Sequence, residues 1–216
     1  MLNLSKTIPP HTGDDTLYKG LTPGKASRAM IMIHGRGASA ESIAALIAEI
    51  KTDDFLYAVP RAAGNTWYPY RFIEPRKTNE PGISSGLALI DAIVKSLNEA
   101  GITSDKIYLL GFSQGACLAV DYAARYPDKF AGVFALSGAL IGEKINGPDY
   151  SGDLRSTPVF FGCSENDFHI PEERIHESAE IFKKLNADVT TRIYPNLGHT
   201  INHDEIKFIN NIINKG

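Results

Sequence analysis

The chain has only two cysteines in 216 residues, too few for a disulfide framework. Cys117 falls in a helical pattern and Cys163 in an apolar run, and both suit small buried hydrophobes better than a bridge. A thiol nucleophile at Cys117 is disfavoured, because four residues into a helix it is expected to point away from the turn that starts it. Long hydrophobic runs are also missing. Met1 to Lys6 leads into Thr7-Ile8-Pro9-Pro10 without the apolar core of a signal peptide, and no later stretch approaches membrane-spanning length. The expectation is a cytoplasmic protein without a membrane anchor. There is no excess of basic residues either: the formal net charge is −3, and the lysines and arginines are scattered. That argues against a nucleic-acid partner. Internal repeats and low-complexity tracts are absent. Metal-ligand spacing is not convincing, since His199 and His203 stand four apart but Asn202 and Glu205 account for that stretch as a helix cap. Neither a metal nor a cofactor is expected.

What remains is ordinary globular material, 43% hydrophobic and 22% charged, enough for one well-buried core and small for two. One domain over residues 1–216 is expected. Thr16 to Lys19 reads as an edge strand after a Pro- and Gly-rich start. Ala29 to Ile33 is a continuous apolar run, the mark of a strand covered on both faces. Glu41 to Ile50 has apolar residues at 43, 46, 47 and 50 and reads as a one-sided helix. Strands are then expected at Phe55 to Val59, Lys106 to Leu110, Ala131 to Leu136, Pro158 to Phe161 and Val189 to Tyr194. Helices are expected at about Ser84 to Ala100, Cys117 to Arg125, Glu172 to Leu185 and from about His203. This alternation predicts an α/β fold, a mostly parallel central sheet with helices on both faces. Two stretches break the rhythm, Arg61 to Pro81 and Gly142 to Ser156. The first holds Trp67, Tyr68, Tyr70 and Phe72 among prolines and arginines. Long loops in compact α/β domains tend to line binding sites, so Trp67 and Tyr70 are read as a pocket wall, against the alternative that they merely cap the core.

Gly111-Phe112-Ser113-Gln114-Gly115 fits G-x-S-x-G between a predicted strand and a predicted helix, the context that a nucleophile elbow requires. So sharp a turn puts strained dihedrals on its central residue and leaves no room for a Cβ at its flanks, which gives both glycines a steric reason. It would lift the Ser113 hydroxyl above the sheet, with the Gln114 backbone N–H at the helix N-terminus facing the same point. A serine is a poor nucleophile without a base, and the base needs a partner that fixes its tautomer. In this chain order the acid and then the histidine follow later strands. Glu165 and Asp167 both follow Val159 to Phe161, with Asp167 preferred as the later of the two. His199, behind Gly198 and after the last strand, is the histidine with a positional argument. His11, His169, His176 and His203 stand in contexts more typical of solvated residues.

Gly35-Arg36-Gly37-Ala38-Ser39-Ala40 also matches G-x-G-x-x-A, a dinucleotide fingerprint, but the acid expected at the end of the next strand is missing, because that strand runs into Val59-Pro60-Arg61. The better reading makes the Arg36 backbone N–H the second donor of an oxyanion hole beside Gln114, with the Arg36 side chain free for other use.

These segments, with Pro127 to Gly138 (P-x-x-F-A-G-V-x-x-L-S-G), together resemble the phospholipase/carboxylesterase family of α/β-hydrolases, which includes acyl-protein thioesterases and small bacterial carboxylesterases. The resemblance runs from about residue 27 to 212. It implies an α/β-hydrolase fold, a Ser113–Asp167–His199 triad and an oxyanion hole from the Arg36 and Gln114 N–H groups. It also implies a cofactor-free serine carboxylesterase that acts on a small-molecule ester or thioester through an acyl-enzyme, as a monomer or weak homodimer. Two alternatives stand beside it: a lysophospholipase or acyl-protein thioesterase, and a non-catalytic small-molecule binder on the same scaffold. Two departures shape the expected substrate. Arg36 stands where many members carry an aliphatic residue, and the loop with Trp67, Tyr70, Arg71 and Phe72 is unusually aromatic and basic. Small or acidic esters are expected over long acyl chains, with those four residues lining the pocket.

Overall fold

The computed structural model describes residues 2–4, 7–50 and 52–215. Of the N-terminal stretch read for a signal segment, Met1, Ser5 and Lys6 lie outside the described residues. Seven strands form one sheet: β1 (Leu17–Gly20), β2 (Arg28–Ile33), β3 (Phe55–Val59), β4 (Ile107–Phe112), β5 (Gly132–Leu136), β6 (Pro158–Ser164) and β7 (Asp188–Tyr194). Their spatial order is β1-β3-β2-β4-β5-β6-β7. Every neighbouring pair is parallel except β1 with β3, which places the one antiparallel strand at an edge.

Strand periodicity builds a core on each face. Ala29, Ile31 and Ile33 of β2 join Ile107 and Leu109 of β4 in one apolar cluster, while Met30, Met32, Tyr108 and Leu110 enter the other. α2 (Gly82–Glu99), α3 (Gln114–Arg125) and α4 (Glu172–Lys184) cover the first face; α1 (Ala40–Ala44) and α5 (His203–Ile213) cover the second. α1 is shorter than the sequence pattern suggests. Ser39 and Ser42 cap it reciprocally, but after Ala44 the chain tightens into a 3₁₀ turn over Ala45–Glu49, where no residue is buried. Leu46 and Ile47 pack only partly against the core, and apolar spacing with so weak a grip does not hold an α-helix.

The strand order fixes where a ligand can sit. From β2 the chain steps to β3 on one side, returns past β2 to β4, and then steps on to β5 on the other, so the connections after β2 and β4 diverge. The crevice at such a reversal, beyond the carboxyl ends of the strands, is where open α/β sheets bind ligands. The His34–Gly37 loop follows β2, and Ser113 follows β4.

Candidate active site

Ser113 has φ 54° and ψ −119°, a conformation that L-residues avoid at about 1–3 kcal/mol. The glycines beside it are needed sterically. A Cβ on Gly115 would lie 2.1 Å from the Ile33 carbonyl oxygen, and one on Gly111 would lie 2.3 Å from that of Gly115. The same crowding brings the β2 loop against the elbow, since a Cβ on Gly35 would lie 3.3 Å from the Ser113 Cβ. Among the described residues, neither the Arg36 nor the Gln114 backbone N–H donates to a protein acceptor, and both residues line the same cavity as Ser113.

β6 and β7 lie two and three strands from β4, or about 10–15 Å at ordinary strand spacing, so their loops must reach back over β5. They do so tied together: the Gly198 N–H donates to Ser164 Oγ at 3.0 Å. His199 then stands between two partners, with Nε2 2.8 Å from Ser113 Oγ and Nδ1 2.7 Å from Asp167 Oδ2. Oδ1 of Asp167 accepts the N–H groups of His169 at 2.8 Å and Ile170 at 3.1 Å. Burial pushes the Asp167 carboxyl up, but the His199 hydrogen bond and these amides outweigh it and hold the group below its ordinary value. The Asp167 side chain is fully shielded from solvent, whereas that of His199 is 23% exposed. Glu165 is exposed and accepts instead from Asn166 and from the Asn196 backbone N–H, away from His199.

A cavity of about 530 Å³ opens over these groups, lined in part by Arg36, Tyr70, Arg71, Phe72, His169 and His199. Trp67 does not line it. Its indole is fully buried, packed against the rings of His11 and His34, and its Nε1–H donates to the His34 carbonyl at 2.9 Å. Trp67 is therefore a core residue beneath the pocket wall, the alternative raised for it from sequence. Cys117, expected to point away, does line the cavity, but burial pushes its thiol up to about 12, so it is protonated and no rival nucleophile. His11 is also buried rather than solvated; burial lowers its pKa, and a hydrogen bond from the Ala63 N–H to Nδ1 leaves Nε2 to donate to the Trp67 carbonyl. His169 is exposed, as expected for a solvated residue, but it lines the cavity with its ring centroid 4.7 Å from that of His199.

The Arg36 side chain is not free either. Its guanidinium donates to the carbonyls of Pro69 and Tyr70, clamping the aromatic loop to the β2 loop. Other side chains complete the same task. Gln114 accepts from the Trp67 N–H at 2.8 Å and donates to the Tyr68 carbonyl at 2.7 Å. Asn79 accepts from the Tyr70 N–H at 2.8 Å and donates to the Arg71 carbonyl at 2.9 Å. A stretch without sheet or helix thus has its backbone groups satisfied by side chains. Sequence offered no signal for Gln114 or Asn79 in this role, because the pairing is tertiary.

Comparison with known proteins places the chain in a family. The phospholipase/carboxylesterase family model matches residues 22–216. The chain belongs to the phospholipase/carboxylesterase family. A crystal structure of a phospholipase/carboxylesterase from Dyadobacter fermentans superposes with a TM-score of 0.92 at 38% identity, covering 96% of this chain and 99% of that one. Acyl-protein thioesterase 1 from Aspergillus fumigatus is 31% identical over 143 residues, or 65% of this chain and 59% of that protein. Lysophospholipase-like protein 1 from mouse is 25% identical over 202 residues, 85% of this chain and 84% of that one. The first of these curated matches thus spans less than two thirds of its relative's length. Among the described residues, no helix is long and apolar enough to cross a membrane.

Proposed function

We propose that the protein is a cytoplasmic serine hydrolase that cleaves small carboxylic esters or thioesters through an acyl-enzyme. The carrying observation is the unbroken hydrogen-bonded series from Ser113 Oγ through His199 to Asp167. In this scheme His199 Nε2 takes the Ser113 proton as Oγ attacks the ester carbonyl. Asp167 keeps the other proton on Nδ1 and stabilises the imidazolium. The oxyanion develops between the Arg36 and Gln114 N–H groups. His199 returns its proton to the leaving alcohol or thiol, and a water activated by the same imidazole then releases the acid. The chemistry as written needs no cofactor. The similarity to acyl-protein thioesterases supports including thioesters. No observation favours a non-catalytic binder, and the Ser113–His199–Asp167 hydrogen bonds support the catalytic reading.

The test is Ser113→Ala, which should stay folded by circular dichroism and lose kcat on a short-chain aryl ester by roughly four to six orders of magnitude. A folded variant within tenfold of wild type would exclude Ser113 as nucleophile.

A further inference from the structure

The cavity over Ser113 carries an uneven set of charges, with the arginines Arg36 and Arg71 against a single acid, Glu74, and His169 and His199 on the same lining. This is a local field, since the whole chain is net −3. Two of the four basic groups are already engaged, His199 with Ser113 and Asp167, and Arg36 with the Pro69 and Tyr70 carbonyls.

Arg71 differs from both. Its carbonyl is held twice, by the Asn79 side chain at 2.9 Å and by the Glu74 N–H at 3.1 Å, so its Cα is fixed at the cavity wall. The adjoining Tyr70 is pinned on both its N–H and its carbonyl. Yet among the described residues the Arg71 guanidinium makes no ion pair or hydrogen bond, even with Glu74 three positions on. A permanently charged, planar donor carried by a fixed backbone at an exposed position, with no partner among the described residues, is available to a planar anion. His169 adds a ring to the same wall, its backbone fixed by Asp167 and its imidazole without a hydrogen-bond partner among the described residues.

We infer that the preferred substrates are esters that carry a free carboxylate, received by the Arg71 guanidinium with His169 as a neighbouring donor. The inference rests on the esterase reading and adds the substrate class. Glu74 opposes it from the same wall, and neutralising Glu74 should therefore strengthen the preference. A charge-assisted hydrogen bond to Arg71 corresponds to roughly a 10- to 150-fold gain in kcat/KM for the acidic partner of a matched pair.

The experiment compares kcat/KM for two matched pairs. 4-Acetoxybenzoate against 4-acetoxybenzamide places the carboxylate on the leaving group; the mono-4-nitrophenyl ester of adipic acid against 4-nitrophenyl hexanoate places it on the acyl group. In at least one pair the wild type should favour the acid by tenfold or more. Arg71→Gln should erase that ratio, Arg71→Lys should retain much of it, and Glu74→Gln should raise it. The pair that responds tells which half of the ester reaches Arg71. A wild type without preference in either pair, or a preference untouched in Arg71→Gln, overturns the inference while leaving the esterase intact. Failure to turn over any of the four esters would instead count against the esterase reading itself.

Discussion

At the scale of single residues, the site depends on where Asp167 and Glu165 point. Both follow β6 two residues apart, so position along the chain could rank them but not separate them. The structure gives them different partners, His199 for Asp167 and the turn after β7 for Glu165. Asp167→Asn should keep the geometry yet favour the wrong imidazole tautomer, lowering kcat by about 10⁴, as in the trypsin-like precedent. Glu165→Gln, at an exposed carboxylate, should stay within a few-fold of wild type. Steady-state kinetics on both variants checks this, and a crippled Glu165→Gln beside a mild Asp167→Asn would reverse the assignment. That Ser113, Asp167 and His199 could meet is legible in the sequence because each lies in the connection that follows a strand, where topology more than packing detail decides position. Trp67 and Tyr70 were harder. Both are aromatic residues of one loop, but Trp67 is fully buried while Tyr70 is 58% exposed, and only the packed neighbours His11 and His34 tell them apart.

At the scale of elements, the central strands are legible within about three residues because their apolar runs are buried on both faces, whereas the aromatic loop has no pattern to read. Its order comes from Gln114, Asn79, Arg36 and His11, two of which lie more than 40 positions away in the chain from the groups they hold. Removing one such side chain leaves buried backbone groups unpaired, at about 1–3 kcal/mol each. Gln114→Ala orphans two, the Trp67 N–H and the Tyr68 carbonyl, and should destabilise the protein by about 2–6 kcal/mol in urea denaturation while its own backbone N–H remains. Arg36→Leu removes an exposed clamp and should cost much less. Equal stabilities for wild type and Gln114→Ala would mean that the loop is held by its apolar contacts alone. α5 was also legible, through Asn202 and Glu205, which form the capping box expected at its start.

At the scale of the whole molecule, that same Glu205 ties stability to pH. Its side chain is buried against Gly162, with Oε2 accepting from the Asn202 N–H and Oε1 unpartnered among the described residues. Burial raises its pKa from an ordinary 4.5 to about 7. Between those values the unfolded chain has released a proton that the folded protein keeps, so stability falls as pH rises through this window. Above pH 7 the buried charge costs about 3 kcal/mol. His11 and His34 act in the opposite sense, since burial lowers both and stability falls as pH drops below 6.5. The difference between Glu205→Gln and wild type isolates the first effect: the variant should gain stability steadily from pH 4.5 to 7 relative to wild type in denaturant titrations. A difference that does not change with pH would mean that Glu205 is not buried as described. The sheet, both cores and these buried groups together hold one serine in a strained turn beside one histidine. Intact-protein mass spectrometry after reaction with a fluorophosphonate tests that claim most directly. One probe per folded chain is expected, attached at Ser113 and absent from Ser113→Ala; an unlabelled wild type, or equal labelling of Ser113→Ala, would overturn Ser113 as the nucleophile.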